Sequence, residues 1–69
     1  MDIYKSKETA PFLKPRFVMP VGEVDSGTVI YCEGSRLGNR IIFDSREHVM
    51  PVSELARDFE IMPNGEAGA

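Results

Sequence analysis

The chain has 69 residues, of which 42% are hydrophobic and 28% charged. This length supports one small domain and leaves no room for a second hydrophobic core. The composition is that of a globular protein and excludes an intrinsically disordered chain. The formal net charge of −3 argues against a domain devoted to coating nucleic acid.

The cysteine and histidine content excludes two common ways of stabilising a small fold. Cys32, the single cysteine, cannot form an intrachain disulfide, and together with the single histidine, His48, it cannot complete a four-ligand zinc site. The apolar runs are too short for a membrane span, and the N-terminus lacks the apolar run of a secretion signal. We therefore expect a cytoplasmic protein with a reduced thiol, no metal, no cofactor and no membrane contact.

Both ends of the chain predict loose segments. Residues 1–16 carry four basic against two acidic side chains, whereas residues 17–69 carry four arginines against nine acids. Residues 1–14 mix charge with Pro11, so we expect a flexible, mildly basic arm. Residues 63–69 have turn chemistry at Asn64-Gly65 and almost nothing to bury, which predicts a disordered tail. The ordered domain is then expected over residues 15–62.

Short runs of β-branched and aromatic residues, bounded by glycine and aspartate, predict strands within that domain. Residues 16–19 form the first predicted strand, residues 25–27 a turn, and residues 28–33 the strongest strand. Residues 34–39 are predicted as a six-residue loop that joins residues 28–33 to residues 40–44 in an antiparallel hairpin.

The second half of the domain continues the β pattern after a polar connection. Residues 48–52 predict an edge strand or strand end because of Pro51. Ser53 is placed to cap one helical turn over residues 53–57, and a single longer helix of about eight residues is the alternative. Residues 58–62 return to alternation. The fold class predicted is therefore mainly β, a small antiparallel barrel of four or five strands with one short helical turn.

The order of these parts resembles the small Src-homology-type β-barrel in its Tudor-like and KOW-like versions. Three segments carry the resemblance: residues 27–31, residues 40–44 with their Phe-Asp ending, and residues 49–55 with their Pro-Val-x-x-Leu turn. The resemblance is at the level of the superfamily and identifies no individual family. The chain departs from the Tudor-like methyl-lysine readers, since it has no tryptophan and no evident aromatic cage. The resemblance implies binding of protein or nucleic acid through the loops.

A catalytic site is not predicted. Residues 22–28 have the glycine spacing of a phosphate loop, but Thr28 stands where that motif needs lysine. Cys32, His48 and Asp44 have the side chains of a nucleophile, a base and an orienting group. A barrel with few core residues offers no deep pocket in which to organise them, so we interpret Cys32 as a small core residue.

Two arginines on the predicted hairpin point to binding instead. Arg36 and Arg40 flank the loop tip, and their planar donor forks suit carboxylate or phosphate. Tyr31 lies nearby on the hairpin and can stack on a base or a partner side chain. The alternative is that both arginines only solubilise the hairpin and pair with Glu33 and Asp44. The predicted partner-binding residues are Tyr31, Arg36, Leu37, Asn39 and Arg40.

The function predicted from these residues is a non-catalytic protein-interaction module. A small regulator, inhibitor or accessory subunit of a larger protein or complex fits the acidic body and its arginine-tipped hairpin, and open strand edges also permit a homodimer. The alternative is a nucleic-acid-binding module that uses the basic arm and the hairpin. Its predicted contacts are Lys5, Lys7, Lys14, Arg16, Arg36 and Arg40.

Overall fold

The computed structural model describes residues 2–62, which form a mainly β domain with one short helix. The elements in chain order are β1 (Tyr4–Ser6), β2 (Phe17–Asp25), β3 (Thr28–Leu37), β4 (Arg40–Phe43), β5 (His48–Pro51), α1 (Val52–Asp58) and β6 (Phe59–Ile61). The predicted mainly β class and the short helix are confirmed. The predicted tail, residues 63–69, lies outside the described residues. α1 is far too short to cross a lipid bilayer, and no other helix of residues 2–62 has the length and apolarity to do so.

The strands form one antiparallel sheet in the order β4-β3-β2-β1-β6. β3 is its centre: one edge pairs with β2, and the other is divided between β5 at Thr28–Tyr31 and β4 at Gly34–Leu37. The prediction of a closed barrel is wrong, because among the described strands β4 and β6 end the sheet without pairing to each other. Closure of a barrel requires its first and last strands to pair, and β4 and β6 lie at opposite ends of the strand order.

The N-terminal segment supplies a strand that the sequence did not predict. β1 lies between β2 and β6. The Ser6 N–H donates to the Arg16 carbonyl at 2.9 Å, and the Lys7 N–H donates to the Asp58 carbonyl at 2.8 Å. The Arg16 N–H in turn donates to the Ser6 hydroxyl at 2.8 Å. Residues 4–6 thus belong to the sheet, in a segment that the sequence placed in an arm outside the domain.

The hydrophobic core lies between one face of the sheet and α1. We call the face of the sheet that α1 covers the core face. The buried side chains of the core are Val18, Val29, Tyr31, Met50, Leu55 and Phe59, with Tyr4 and Phe12 packed against them. We call the opposite side the open face; Phe17 and Cys32 lie on it and are also buried. The interpretation of Cys32 as a core-type residue is confirmed, since its exposure is 9%.

The hairpin between β3 and β4 is tighter than predicted. β3 extends to Leu37, so the predicted six-residue loop is wrong and only Gly38 and Asn39 separate the two strands. Gly38 has φ +66°, the left-handed value that a type II′ turn requires at its first central position. The predicted turn at residues 25–27 is confirmed, because the Gly27 N–H donates to Asp25 Oδ1 at 2.8 Å.

The helix also begins elsewhere than predicted. α1 spans seven residues, which is closer to the longer alternative than to a single turn. Its N-cap is Pro51, and no side chain caps it, so the prediction of Ser53 as the cap is wrong. Pro51 lacks an N–H and its ring fixes φ, which is −62°. With a ψ of 141°, Pro51 joins β5 directly to the helix.

Candidate functional site

The β3–β4 hairpin exposes apolar side chains at one end of the sheet. Leu37 is 69% exposed and Ile42 is 53% exposed. Both lie on the core face, because the register pairs Ile42 with Ser35 and Leu37 with Arg40 and alternate residues of a strand share a face. α1 packs against β5 and β6, so the helix that covers the core leaves this end of the same face uncovered.

Leu37 and Ile42 border a shallow groove, which we call the hairpin groove. Its volume is about 340 Å³. The groove combines apolar walls with charged ends, which is a common composition for a docking surface. Its lining residues are Glu33, Ser35, Arg36, Leu37, Ile42, Phe43 and Asp44.

The two hairpin arginines lie at the same end of the sheet but on opposite faces. Arg36 pairs in register with Ile41 and points to the open face, whereas Arg40 pairs with Leu37 and points to the core face. Neither forms an ion pair with Glu33 or Asp44 among residues 2–62. The pairing with Glu33 and Asp44 that the alternative assumed is therefore wrong, whereas the role of the two arginines stays a prediction.

Glu33 and Asp44 have other partners. Arg16 donates two hydrogen bonds to the Glu33 carboxylate, at 3.1 and 2.8 Å. Asp44 Oδ1 accepts the Arg46 N–H at 3.2 Å, and Asp44 Oδ2 lies 3.9 Å from His48 Nε2. The Asp44 side chain remains 49% exposed, so it keeps free acceptor positions at the edge of the hairpin groove.

Tyr31 does not belong to the hairpin surface. It is 8% exposed, and its ring stacks on His48 with 5.4 Å between ring centroids. The burial of Tyr31 argues against the predicted partner contact, because its position on β3 places it beside Met50 and Val29 in the core. The sequence prediction missed Ile42 and Phe43, which line the hairpin groove. The alternation of β4 was the pattern that indicated them.

Arg16 contacts side chains of its own domain. Its guanidinium carbon lies 4.6 Å from the centroid of Phe12 and 5.4 Å from that of Phe59. The hydrogen bonds to Glu33 raise the pKa of Arg16 above its usual value, so the guanidinium stays charged. Two of its donors and its planar face are thereby engaged inside the domain, which argues against the predicted nucleic-acid contact.

Four of the six predicted nucleic-acid contacts, by contrast, gather around two adjoining cavities. One cavity of about 200 Å³ is lined by Lys5, Lys7 and Lys14. The other, of about 460 Å³, is lined by Lys14, Phe17 and Arg36. The guanidinium of Arg36 lies 5.3 Å from the Phe17 ring centroid. We call this set, Lys5, Lys7, Lys14 and Arg36, the cationic surface. Lys7 Nζ also donates to the Ala56 carbonyl at 3.1 Å.

The structure does not assemble Cys32, His48 and Asp44 into a catalytic group. His48 pairs with Tyr31 and shares its face, whereas Cys32 is the next residue along β3 and points to the other face. His48 Nε2 is buried and has no hydrogen-bond partner among the described residues. Residues 2–62 also hold no cluster of three or more His, Cys, Asp or Glu side chains suited to a metal ion.

Comparison with known proteins gives no family assignment. No family model, no curated protein and no solved structure matches the chain. The resemblance to the small Src-homology-type barrels stays a prediction, and the hairpin groove and the cationic surface are the features from which function is argued.

Proposed function

We propose that this protein is a non-catalytic interaction module that docks a protein partner on its β3–β4 hairpin. The observation that carries the proposal is the exposure of Leu37 and Ile42, 69% and 53%, as diagonal neighbours on one face of the hairpin. Large apolar side chains that neighbour each other on the surface of a small domain mark interaction sites. A small regulator, inhibitor or accessory subunit of a larger protein fits this surface, as does the resemblance to loop-binding barrels.

The apolar side chains supply enough binding free energy to act as anchors. Full burial of a leucine or isoleucine contributes about 1.5–3 kcal/mol. Since Leu37 and Ile42 are already partly covered, a partner gains about 1–2 kcal/mol from each. Arg40 lies in register beside Leu37 and supplies donors at the rim for a partner carboxylate.

A matched pair of variants tests the docking surface. Tagged wild-type protein, the double variant Leu37→Ser/Ile42→Ser and the control Val24→Ser are used as baits in extract of the native host, with quantitative mass spectrometry. Val24 is 61% exposed, like the hairpin residues, but lies at the far end of β2.

We expect one stoichiometric protein with the wild type and with Val24→Ser, and at least tenfold less of it with the double variant, as loss of the two anchors requires. Thermal melting of all three baits verifies that they are folded. Equal recovery on the double variant, or no enriched protein on the wild type, would reject the proposal.

Nucleic-acid binding is a second candidate function, and the cationic surface favours it. Three cations, Lys5, Lys14 and Arg36, lie around cavities of which one contains the Phe17 ring, a combination suited to phosphates and stacked bases. The net charge of −3 opposes it, which is why the hairpin is preferred.

Fluorescence anisotropy with labelled single-stranded RNA and DNA tests this candidate. The double variant Lys14→Gln/Arg36→Gln should weaken binding and lower its salt dependence between about 50 and 200 mM salt. Arg46→Gln, which removes an exposed cation outside this surface, should have little effect. Equal losses in the two variants would contradict a site at the cationic surface.

A further inference from the structure

β4 presents an open strand edge whose backbone groups can be assigned. The Asp44 N–H donates to the Glu33 carbonyl at 3.0 Å, so the backbone N–H and C=O groups of Asp44 point toward β3. Because hydrogen-bonded and non-hydrogen-bonded pairs alternate along an antiparallel ladder, the backbone N–H and C=O groups of Ile42 also point toward β3. The N–H and C=O groups of Ile41 and Phe43 then point away from β3, and among residues 2–62 no strand pairs with that side.

The sequence along this edge is complementary to itself. When residues 40–44 of one chain are laid antiparallel to residues 40–44 of another, with Ile42 opposite Ile42, each Arg40 comes opposite an Asp44. Each Ile41 then lies opposite a Phe43. On the core face lie Arg40, Ile42 and Asp44, and on the open face lie Ile41 and Phe43. In this register every apolar side chain therefore meets an apolar side chain, and every charge meets the opposite charge.

We propose that two copies of this chain form a symmetric dimer by pairing their β4 strands in that register. The proposal rests on the proposed function, since it names a second copy as one partner of the hairpin. The two Ile41–Phe43 pairs each form two backbone hydrogen bonds, which satisfies all the open groups of both edges. Asp44 keeps acceptor positions for the partner's Arg40, because its side chain is 49% exposed.

The dimer also extends the docking surface. The Ile42 side chains of the two copies meet in a non-hydrogen-bonded pair, in which strands approach most closely. Each Ile42 neighbours a Leu37 on the same face, so the two hairpin grooves become one continuous apolar strip. An interface of two short strands is small, and a dissociation constant of about ten to a few hundred micromolar is expected.

Charge-reversal variants test the register. Arg40→Glu places two Glu–Asp pairs in the dimer, and Asp44→Arg places two Arg–Arg pairs in it. Like charges directly opposite each other destabilise paired strands, so each variant alone should dimerise at least about tenfold more weakly than the wild type. An equimolar mixture of the two variants matches both charges and should restore the affinity as a heterodimer. Sedimentation velocity over a concentration series measures all four samples.

The mixture separates a lost register from a lost fold, since only folded variants can regain dimerisation by mixing. Arg46→Glu, a nearby charge change outside the register, should leave the dissociation constant unchanged. A wild type that stays monomeric throughout the series, or dimers unaffected by the charge changes, would overturn the proposal. Neither result would reject the docking function, which is tested separately by the recovery of a partner protein on the Leu37→Ser/Ile42→Ser variant.

Discussion

Replacement of Gly34 by alanine tests how β4 is packed onto the sheet. Gly34 lies opposite Phe17 on β2 and opposite Phe43 on β4. A Cβ atom at this position would lie 2.6 and 2.7 Å from two ring carbons of Phe43 and 3.0 Å from Cγ2 of Ile41. Carbon atoms prefer separations of about 3.5–4.0 Å, so Gly34→Ala must displace the Phe43 ring.

The expected cost follows from two opposing effects. Overpacking of this kind costs about 1–3 kcal/mol. Gly34 does not have a positive φ, so alanine adopts its backbone without strain and offsets about 0.4–1 kcal/mol by restricting the unfolded chain. We expect a net loss of about 1–2 kcal/mol in the free energy of unfolding. For a domain of this size that lowers Tm by roughly 4–16 °C.

Urea and thermal denaturation of four proteins measure the effect: the wild type, Gly34→Ala, Phe43→Ala and the double variant. In the Phe43→Ala background the ring is gone, and Gly34→Ala should lose most of its cost, with a coupling energy of about 1–2 kcal/mol. Gly22→Ala is the matched control, because a Cβ there meets only Ile30 Cδ1 at 3.8 Å. A Gly34→Ala protein as stable as the wild type, or equally destabilised in both backgrounds, would refute this packing argument.

Two ion pairs give further predictions. Arg57 donates two hydrogen bonds to the buried Asp58 carboxylate, at 3.1 and 2.8 Å, and these lower the pKa of Asp58. The stabilisation is therefore present above the unfolded-state pKa of about 4 and is lost as pH falls further, so Asp58→Asn should flatten the fall in Tm below about pH 4. Arg16→Lys removes the bidentate contact with Glu33 and the planar contact with the Phe12 ring; thermal melts should show a loss of about 1 kcal/mol, and an unchanged Tm would contradict the stabilising role of Arg16.

The strands of the domain were predictable where the local pattern was strong. Residues 28–33 and 40–43 are β-branched and aromatic, and the turn at residues 25–27 carries its own side-chain hydrogen bond. Gly34 and Ser35 have the composition of a loop, yet they continue β3. Pairing with neighbouring strands decides this, because Gly34 lies opposite Phe17 of β2 and opposite Phe43 of β4, and a local pattern does not show such contacts.

The candidate site was predictable in part for the same reason. The hairpin tip follows from local sequence, so Arg36, Leu37 and Arg40 are exposed at the end of the sheet as expected. The burial of Tyr31 depends on β5, which brings His48 and Met50 beside it from a distant part of the chain. β1 is three residues long and gives no periodic signal, so its insertion between β2 and β6 was not predictable from the sequence.

The open sheet changes how docking on this domain is understood. A closed barrel has no free strand edges and binds through its loops, whereas an open sheet leaves edges that must be protected or used. The two strands that end the strand order differ: β6 has three residues with Glu60 at its centre, and an edge charge discourages pairing. β4 has Ile41, Ile42 and Phe43 in succession after Arg40, and the next charge, Asp44, directly follows the strand. Pairing is therefore opposed at β6 and favoured at β4, which supports the proposal that the interaction surface lies on the hairpin side of the sheet.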